Sequence, residues 1–244
     1  MCYAPLVDDS QTNSPIVDDY TRLLSLAVHE FRTPASVVSG YLRMLIMFSE
    51  PPLGEKQKKM VEEAEKSCGR LVALVAELSE IAKLDAGTAT VAAEDVDLFP
   101  LVAEVAESVQ EGRDRGVHFE ARGEAAGAVM RGDSERLRKA FSACFRAILR
   151  EQIQPVTVVA ERRRVSNAGV TSALVVVTSE DNVQQAYEAA PGPFDEKRGG
   201  LGLALPIARR VVERYGGHLS TPADSGPAAI IIRLPLSGST ESRT

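Results

Sequence analysis

The chain is poor in the residues that would announce several chemistries. Three cysteines occur in 244 residues, Cys2, Cys68 and Cys144, far apart and without metal-ligand spacing, which excludes a disulfide framework and a cysteine-built metal centre. Two of them fall inside helical patterns and are expected to be reduced, buried thiols of a cytoplasmic protein. Basic residues do not outnumber acidic ones: 28 Lys and Arg against 34 Asp and Glu give a net charge of −6, the wrong balance for a nucleic-acid footprint. No apolar run approaches the ~18 residues of a membrane span, and the polar start "MCYAPLVDDSQTNSPIVDDY" lacks the basic and apolar regions of a signal peptide.

What the chain does have is globular composition, 44% hydrophobic and 25% charged, and a length that suits one helical module plus one ordinary domain. Leu24, Ala27, Phe31, Pro34, Val38, Tyr41, Leu45 and Phe48 step by three and four residues, the seam of a long helix expected from Pro15 to Ser49. "EPPLG" stops it at Pro51, Pro52 and Gly54. A second helix follows from Glu55 to about Ala86, with Met60, Ala64, Cys68, Leu71, Val75, Leu78 and Ala82 on its seam. One antiparallel hairpin cannot cover stripes this wide, so pairing of two hairpins into a four-helix bundle is expected.

The first helix carries a proline in mid-course. Pro34 has no N–H, so the carbonyl of Glu30 loses its helical partner and the axis softens just after His29. His29 lies off the seam, on a face shared with Arg32, Thr33, Ser36 and Arg43, and is presented outward. The string His29-Glu30-Phe31-Arg32-Thr33-Pro34 resembles the H-box of two-component sensor histidine kinases. That resemblance implies a histidine that accepts phosphate from ATP and passes it to an aspartate in the receiver domain of a response regulator. It also implies a homodimer, His29 Nε2 as nucleophile, Glu30 as proton acceptor or ring-orienting group at Nδ1, and Thr33 positioning a water for dephosphorylation of the regulator. Any membrane or sensor segment would lie upstream of this chain, and the part present is expected to be cytoplasmic.

Beyond "LDAGTATVAAEDVDL" the texture changes. A strand is expected at 95–98, a helix at 100–115, strands at "GVHFEAR" and "AVMRG", and a helix at 133–151. Paired strands "PVTVVAERRR" and "TSALVVVTSE" across "SNAG", a helix at 203–215 and strands "HLST" and "AAIIIRLPL" complete the domain. This is an α/β two-layer sandwich with a mostly antiparallel sheet. Its order is similar to the Bergerat-type ATP-binding domain of histidine kinases. The expected organisation is therefore a polar lead at 1–19, a dimerisation and phosphotransfer hairpin at 20–87, an ATPase-like domain at 88–236 and a disordered tail at 237–244.

The resemblance implies ATP and Mg²⁺ as cofactors, yet the nucleotide boxes depart from the family pattern. "DSERLRKAFSACFRAILR" keeps Asp133, Arg136 and Leu137 but puts Ala143 and Ala147 where the family has two asparagines, the second a magnesium ligand, so no metal ligand is expected here. Arg150 stands at the place of a phosphate-facing lysine. The D-x-G-x-G box that holds adenine is matched by Thr178, Glu180 and Asn182. "RGGLGLAL" retains Gly199, Gly200 and Gly202, of which Gly200 and Gly202, with Arg150, are the cofactor-binding candidates. Only a few residues separate Phe194 from Gly199, too short a stretch for a closing lid. These departures predict weak or absent ATP binding. Three readings follow: a protein that exchanges phosphate between His29 and a regulator with its autokinase step weak or lost, a fully active ATP-dependent sensor kinase, and a pseudokinase scaffold that only binds partners.

Overall fold

The computed structural model describes residues 15–89, 92–167, 169–223 and 226–237. Most of the polar lead and of the C-terminal tail therefore lies outside the described residues, as does Cys2. The chain divides into two compact units after Gly87.

The first unit is a hairpin of α1 (Pro15–Phe48) and α2 (Glu55–Asp85). Helix α1 runs without a break through Pro34. Gly54 begins α2 in extended conformation, and the Gln57 side chain accepts its N–H at 3.1 Å, satisfying one of the donors a helix start leaves unpaired. The face of α1 turned into the hairpin is not the seam of Phe31 and Phe48 but the stripe beside it. Val28 and Ser39 are buried there with Ala35, Leu42 and Ile46 half-buried, and the Cys68 thiol of α2 donates to the Ala35 carbonyl at 3.1 Å. An Arg43–Glu65 pair at 3.0 Å joins the helices across the outside. The seam stays uncovered: Phe31 is 63% and Phe48 72% exposed, with Val38, Tyr41 and Leu45 exposed between them and Met60 and Leu71 exposed on α2. This single hairpin thus leaves a row of large apolar side chains in water, an arrangement that burial against another surface would relieve.

The second unit opens with β1 (Glu94–Asp97), which pairs antiparallel with β3 (Val129–Gly132) in a two-stranded ribbon. Between them lie α3 (Leu98–Ser108) and β2 (Val117–Gly123). Then come α4 (Ser134–Glu151), β4 (Val156–Asn167), β5 (Val170–Ser179), α5 (Val183–Glu188), β6 (Pro191–Gly192), α6 (Ala204–Arg214), β7 (His218–Pro222) and β8 (Ile230–Pro235). The main sheet has the order β2-β4-β5-β8-β7-β6, parallel only between β2 and β4. Asp97 caps α3 by accepting the Phe99 N–H at 3.2 Å, and also receives the Gly127 and Ala128 N–H groups, fastening the ribbon to the helix.

Helix α3 ends at Ser108, seven residues before the expected Arg115. Val109 leaves the helix in extended conformation, and Gly112 (φ 81°) and Gly116 (φ 75°), both left-handed, bracket a short 3-10 turn at 113–115 that keeps the helix from resuming. Arg115 there donates to the carbonyls of Leu149 and Gln152 at 3.1 and 3.0 Å and so closes the C-terminus of α4.

Two layers form the core. Phe145 of α4 meets Phe119 of β2 edge-on with centroids 5.0 Å apart, which puts Phe119, and with it Val158 and the residues of β5 in register with them, on the helix side of the sheet. Leu174 and Val176, of opposite parity, point to the other side, where α5 seats Ala186 and Tyr187 on them. Helix α5 and strand β6 were not expected from the sequence.

Candidate functional site: the exposed histidine and the glycine turn

His29 sits mid-way along α1 with its side chain 76% exposed, and Glu30 beside it is 71% exposed. The Nδ1–Oε1 distance is 3.5 Å, a loose contact that leaves Nε2 facing water. In steps of three and four residues, Leu26, Thr33, Val37, Met44 and Met47 fall on the same side as His29. Leu26, Val37, Met44 and Met47 are exposed as well. The outward face is thus not simply the polar one expected from Arg32, Ser36 and Arg43: an apolar strip runs through the histidine. That strip was legible as a period in the sequence but was overshadowed by the stronger seam beside it.

In the second unit the predicted nucleotide residues come together around the C-terminal half of α4, but in contacts with one another. Ala143 and Ala147 are both buried in α4 and carry no side-chain donor atom for a cation. Arg150, expected to face phosphate, gives its Nε to Glu111 at 2.6 Å, and its Nη1 lies 3.4 and 3.5 Å from the carbonyl oxygens of Gly199 and Gly200. Glu111 also accepts Arg146 at 3.2 Å, and the hydrogen bond from Arg150 holds its carboxyl below the ordinary range. Gly199, Gly200 and Gly202 all have positive φ, 64°, 60° and 65°. A Cβ on Gly199 would lie 2.7 Å from Ala147 Cα and 2.8 Å from its carbonyl oxygen, so the turn rests directly on the backbone of α4. The stretch ahead of it is tight: Asp195 accepts the Lys197 N–H at 2.9 Å, and Gly200 donates to the Lys197 carbonyl at 3.2 Å.

Arg198 was missed in the sequence. Its Nε reaches both oxygens of Glu151, at 2.8 and 2.9 Å, and its Nη1 donates to the Ala229 carbonyl at 2.8 Å. The adenine-box positions are likewise engaged. Thr178 is fully buried, has the parity of Leu174 and Val176 rather than that of the helix side, and donates to the Ala228 carbonyl at 3.0 Å. The helix-side residue at the end of β5 is Ser179, which accepts from Asn182 at 2.7 Å. Glu180 pairs with Arg122 of β2. Beside Ala143 an open groove of about 360 Å³ is lined by Ser108, Ser142, Leu201, Ala204 and arginines that are already paired, Arg138 with Glu104 and Arg146 with Glu111. At the two asparagine positions the alanine side chains carry no atom that could ligate a cation, and Arg146 and Arg150 share the single Glu111 carboxylate.

A helical hairpin with an exposed H-box histidine, followed by this mixed sandwich, is the organisation of a sensor histidine kinase catalytic core. Residues 20–87 match the His Kinase A (phospho-acceptor) domain family. The chain is similar to the circadian input-output histidine kinase CikA of Synechococcus elongatus, 22% identical over 83% of this chain and 28% of that protein. It is also similar to the signal transduction histidine-protein kinase BarA of Escherichia coli K12, 25% identical over 79% of this chain and 22% of that protein. To the sensor protein CutS of Streptomyces coelicolor it is 28% identical over 88% and 52%. It thus spans between about a fifth and a half of these relatives. In fold it resembles full-length ShkA crystallised with AMPPNP, with a TM-score of 0.67 and 22% identity over 88% of this chain and 46% of that one. The histidine kinase AdeS of Acinetobacter baumannii gives a TM-score of 0.53 and 15% identity over 86% and 98%. Residues 20–87 thus match the phospho-acceptor domain of histidine kinases, and the chain is similar in sequence and in fold to histidine kinase catalytic cores. No described helix is long and apolar enough to cross a membrane.

Proposed function

We propose that this chain acts in two-component signalling by carrying phosphate on His29 and exchanging it with an aspartate of a response-regulator receiver domain, with an ATP site too degenerate for efficient autophosphorylation. The observation that carries the reading is the exposed His29–Glu30 pair beside the exposed apolar residues Leu26, Val37, Met44 and Met47 of α1. In the transfer, the Nε2 lone pair of His29 attacks phosphorus of the aspartyl phosphate. The P–O bond to the aspartate breaks and returns a carboxylate, while the Nδ1 proton passes to Glu30 or to water. Leu26, Val37, Met44 and Met47 give the receiver domain an apolar footing around the nucleophile. Thr33 lies one turn from His29, where it positions a water that attacks the aspartyl phosphate, releasing inorganic phosphate and the free carboxylate of the regulator. The uncovered seam of Phe31, Val38, Tyr41, Leu45 and Phe48 serves as the homodimer face; fully burying each such side chain is worth roughly 1.5–3 kcal/mol.

Ala143, Ala147 and the engaged Thr178 support the loss of the ATP step, and the short turn before Gly199 agrees with it. The retained glycines favour a second reading, an active kinase, in keeping with the AMPPNP bound to ShkA. Two incubations decide between these readings. With a phosphorylated receiver domain, label is expected on the chain, acid-labile and lost in His29→Gln. With labelled ATP and Mg²⁺, little or none is expected. Strong His29-dependent label from ATP establishes the active kinase instead. A receiver phosphate left untouched overturns phosphotransfer and leaves a scaffold.

A further inference from the structure

The glycine turn at 199–202 is held by two arginines, and neither contact uses a ligand. Arg150 faces the carbonyl oxygens of Gly199 and Gly200, so at this point the turn offers acceptors to a cation rather than N–H donors to an anion. Arg198 immediately precedes the turn and is largely buried, with 14% of its side chain exposed. Its Nε is shared between both oxygens of Glu151 at the end of α4, and its Nη1 binds the Ala229 carbonyl just before β8. One side chain therefore ties the turn to the helix layer and to the sheet at once. The steric contact of Gly199 with Ala147 brings the turn flush onto α4 at one of the asparagine positions.

We propose that Arg198 is an intramolecular latch that holds the glycine turn on α4, its guanidinium bridging the Glu151 carboxylate at the end of α4 and the Ala229 carbonyl before β8. The inference rests on the degenerate-site reading and deepens it: the turn is a fixed strut of the second domain rather than a ligand-responsive element. Charge-assisted hydrogen bonds in partly buried surroundings are strong enough to act this way, because removing the guanidinium leaves the Glu151 carboxylate and the Ala229 carbonyl without their donor.

Amide hydrogen exchange on the full chain, read by mass spectrometry, tests it. In wild type without nucleotide, the amides of Arg198, Gly200 and Ala204 are expected to be protected, and added Mg–ATP should leave their rates unchanged. Arg198→Gln is expected to accelerate these amides about ten- to a hundredfold while the amides of α4 between Leu137 and Cys144 stay as they are. Arg198→Lys, which keeps the charge but cannot bridge both partners, should fall between. Unprotected amides in the wild-type turn overturn the latch, and so does equal acceleration of turn and α4 in Arg198→Gln, which would mean a general contribution to stability only. If the ligand-free turn is protected and Mg–ATP slows it further, the degenerate-site reading fails while the latch stands. A fast turn indifferent to Mg–ATP sinks the latch and leaves that reading intact.

Discussion

Glycines in a turn ahead of a helix can be there for binding or for packing, and Gly199 and Gly200 separate the two causes. Both have left-handed φ, so alanine at either position carries strain of about 1–2 kcal/mol. They differ in surroundings. A Cβ on Gly200 meets nothing within 4 Å, whereas on Gly199 it meets Ala147 Cα at 2.7 Å and the Ala147 carbonyl oxygen at 2.8 Å. Those are backbone atoms of the C-terminal half of α4 and cannot swing aside, so the turn itself must move off the helix at a cost of roughly 1–3 kcal/mol, typical of overpacking. Gly199→Ala should therefore destabilise the second domain by roughly 2–5 kcal/mol and Gly200→Ala by about 1–2 kcal/mol. Urea unfolding followed by tyrosine fluorescence, with no nucleotide present, measures both. In a domain of about this size each kilocalorie moves Tm by ~2–4 °C, so a thermal scan also resolves the difference. Equal losses for the two variants would refute the reasoning, since they would show that the close approach to Ala147 adds nothing and that the glycines answer only to backbone conformation.

Phe145→Ala should cost about 3–5 kcal/mol in the same urea experiment, because the ring is fully buried and loses its edge contact with Phe119; a loss under 1 kcal/mol would contradict the core described. Cys144 is buried and its thiol is pushed up to about 12 by desolvation, so peptide mapping after iodoacetamide at pH 8 should find it unmodified in the folded protein and alkylated in urea. Glu111 is held below the ordinary carboxylate range by Arg150. Its contribution is thus complete above the unfolded-state pKa and disappears as pH falls through the folded value; Glu111→Gln should remove about 1 kcal/mol at pH 7 and flatten the acid limb of a Tm–pH profile below about pH 5. Asp97→Ala removes an acceptor from three backbone N–H groups and should cost about 2 kcal/mol by urea unfolding.

The sequence is most readable where one face of an element is buried and the other is not. Both helices of the hairpin, α4 and α6 were expected within a residue or two of where they lie, since apolar residues at three- and four-residue steps leave little choice of secondary structure. Helix α3 is shorter than its apolar pattern suggests because the chain turns extended at Val109, and the left-handed Gly112 and Gly116 beyond it prevent the helix from resuming. Six-residue α5 and two-residue β6 are too short to show any period. The run from Ala173 to Val177 is apolar throughout, so alternation could not tell which residues face the helices, and only pairing with β4 shows Ser179, not Thr178, on that side. Arg198 was invisible for another reason: its partners Glu151 and Ala229 are 47 and 31 residues away, and nothing local marks a guanidinium that binds so far along the chain.

The same contrast runs between the two halves of the proposed chemistry. Phosphate exchange at His29 needs an exposed imidazole, a neighbouring carboxylate and a surface on which a partner can rest, all of which one turn-and-a-half of a single helix supplies locally. Phosphorylation from ATP needs a cation ligand, an adenine acceptor and an open glycine turn to converge from α4, β5 and the start of α6. Convergence across distant elements is lost by a few substitutions, and on the proposed reading the protein's own groups engage one another at those positions: Thr178 bonds Ala228, Arg150 the glycine carbonyls, Arg198 Glu151. Restoring one ligand by Ala147→Asn would then not restore the site, because the asparagine would emerge against a turn already seated on α4. Recovery of ATP-dependent label at His29 requires Ala143→Asn and Ala147→Asn to be combined with Arg198→Gln, and robust label from Ala147→Asn alone would show that the turn opens without being released.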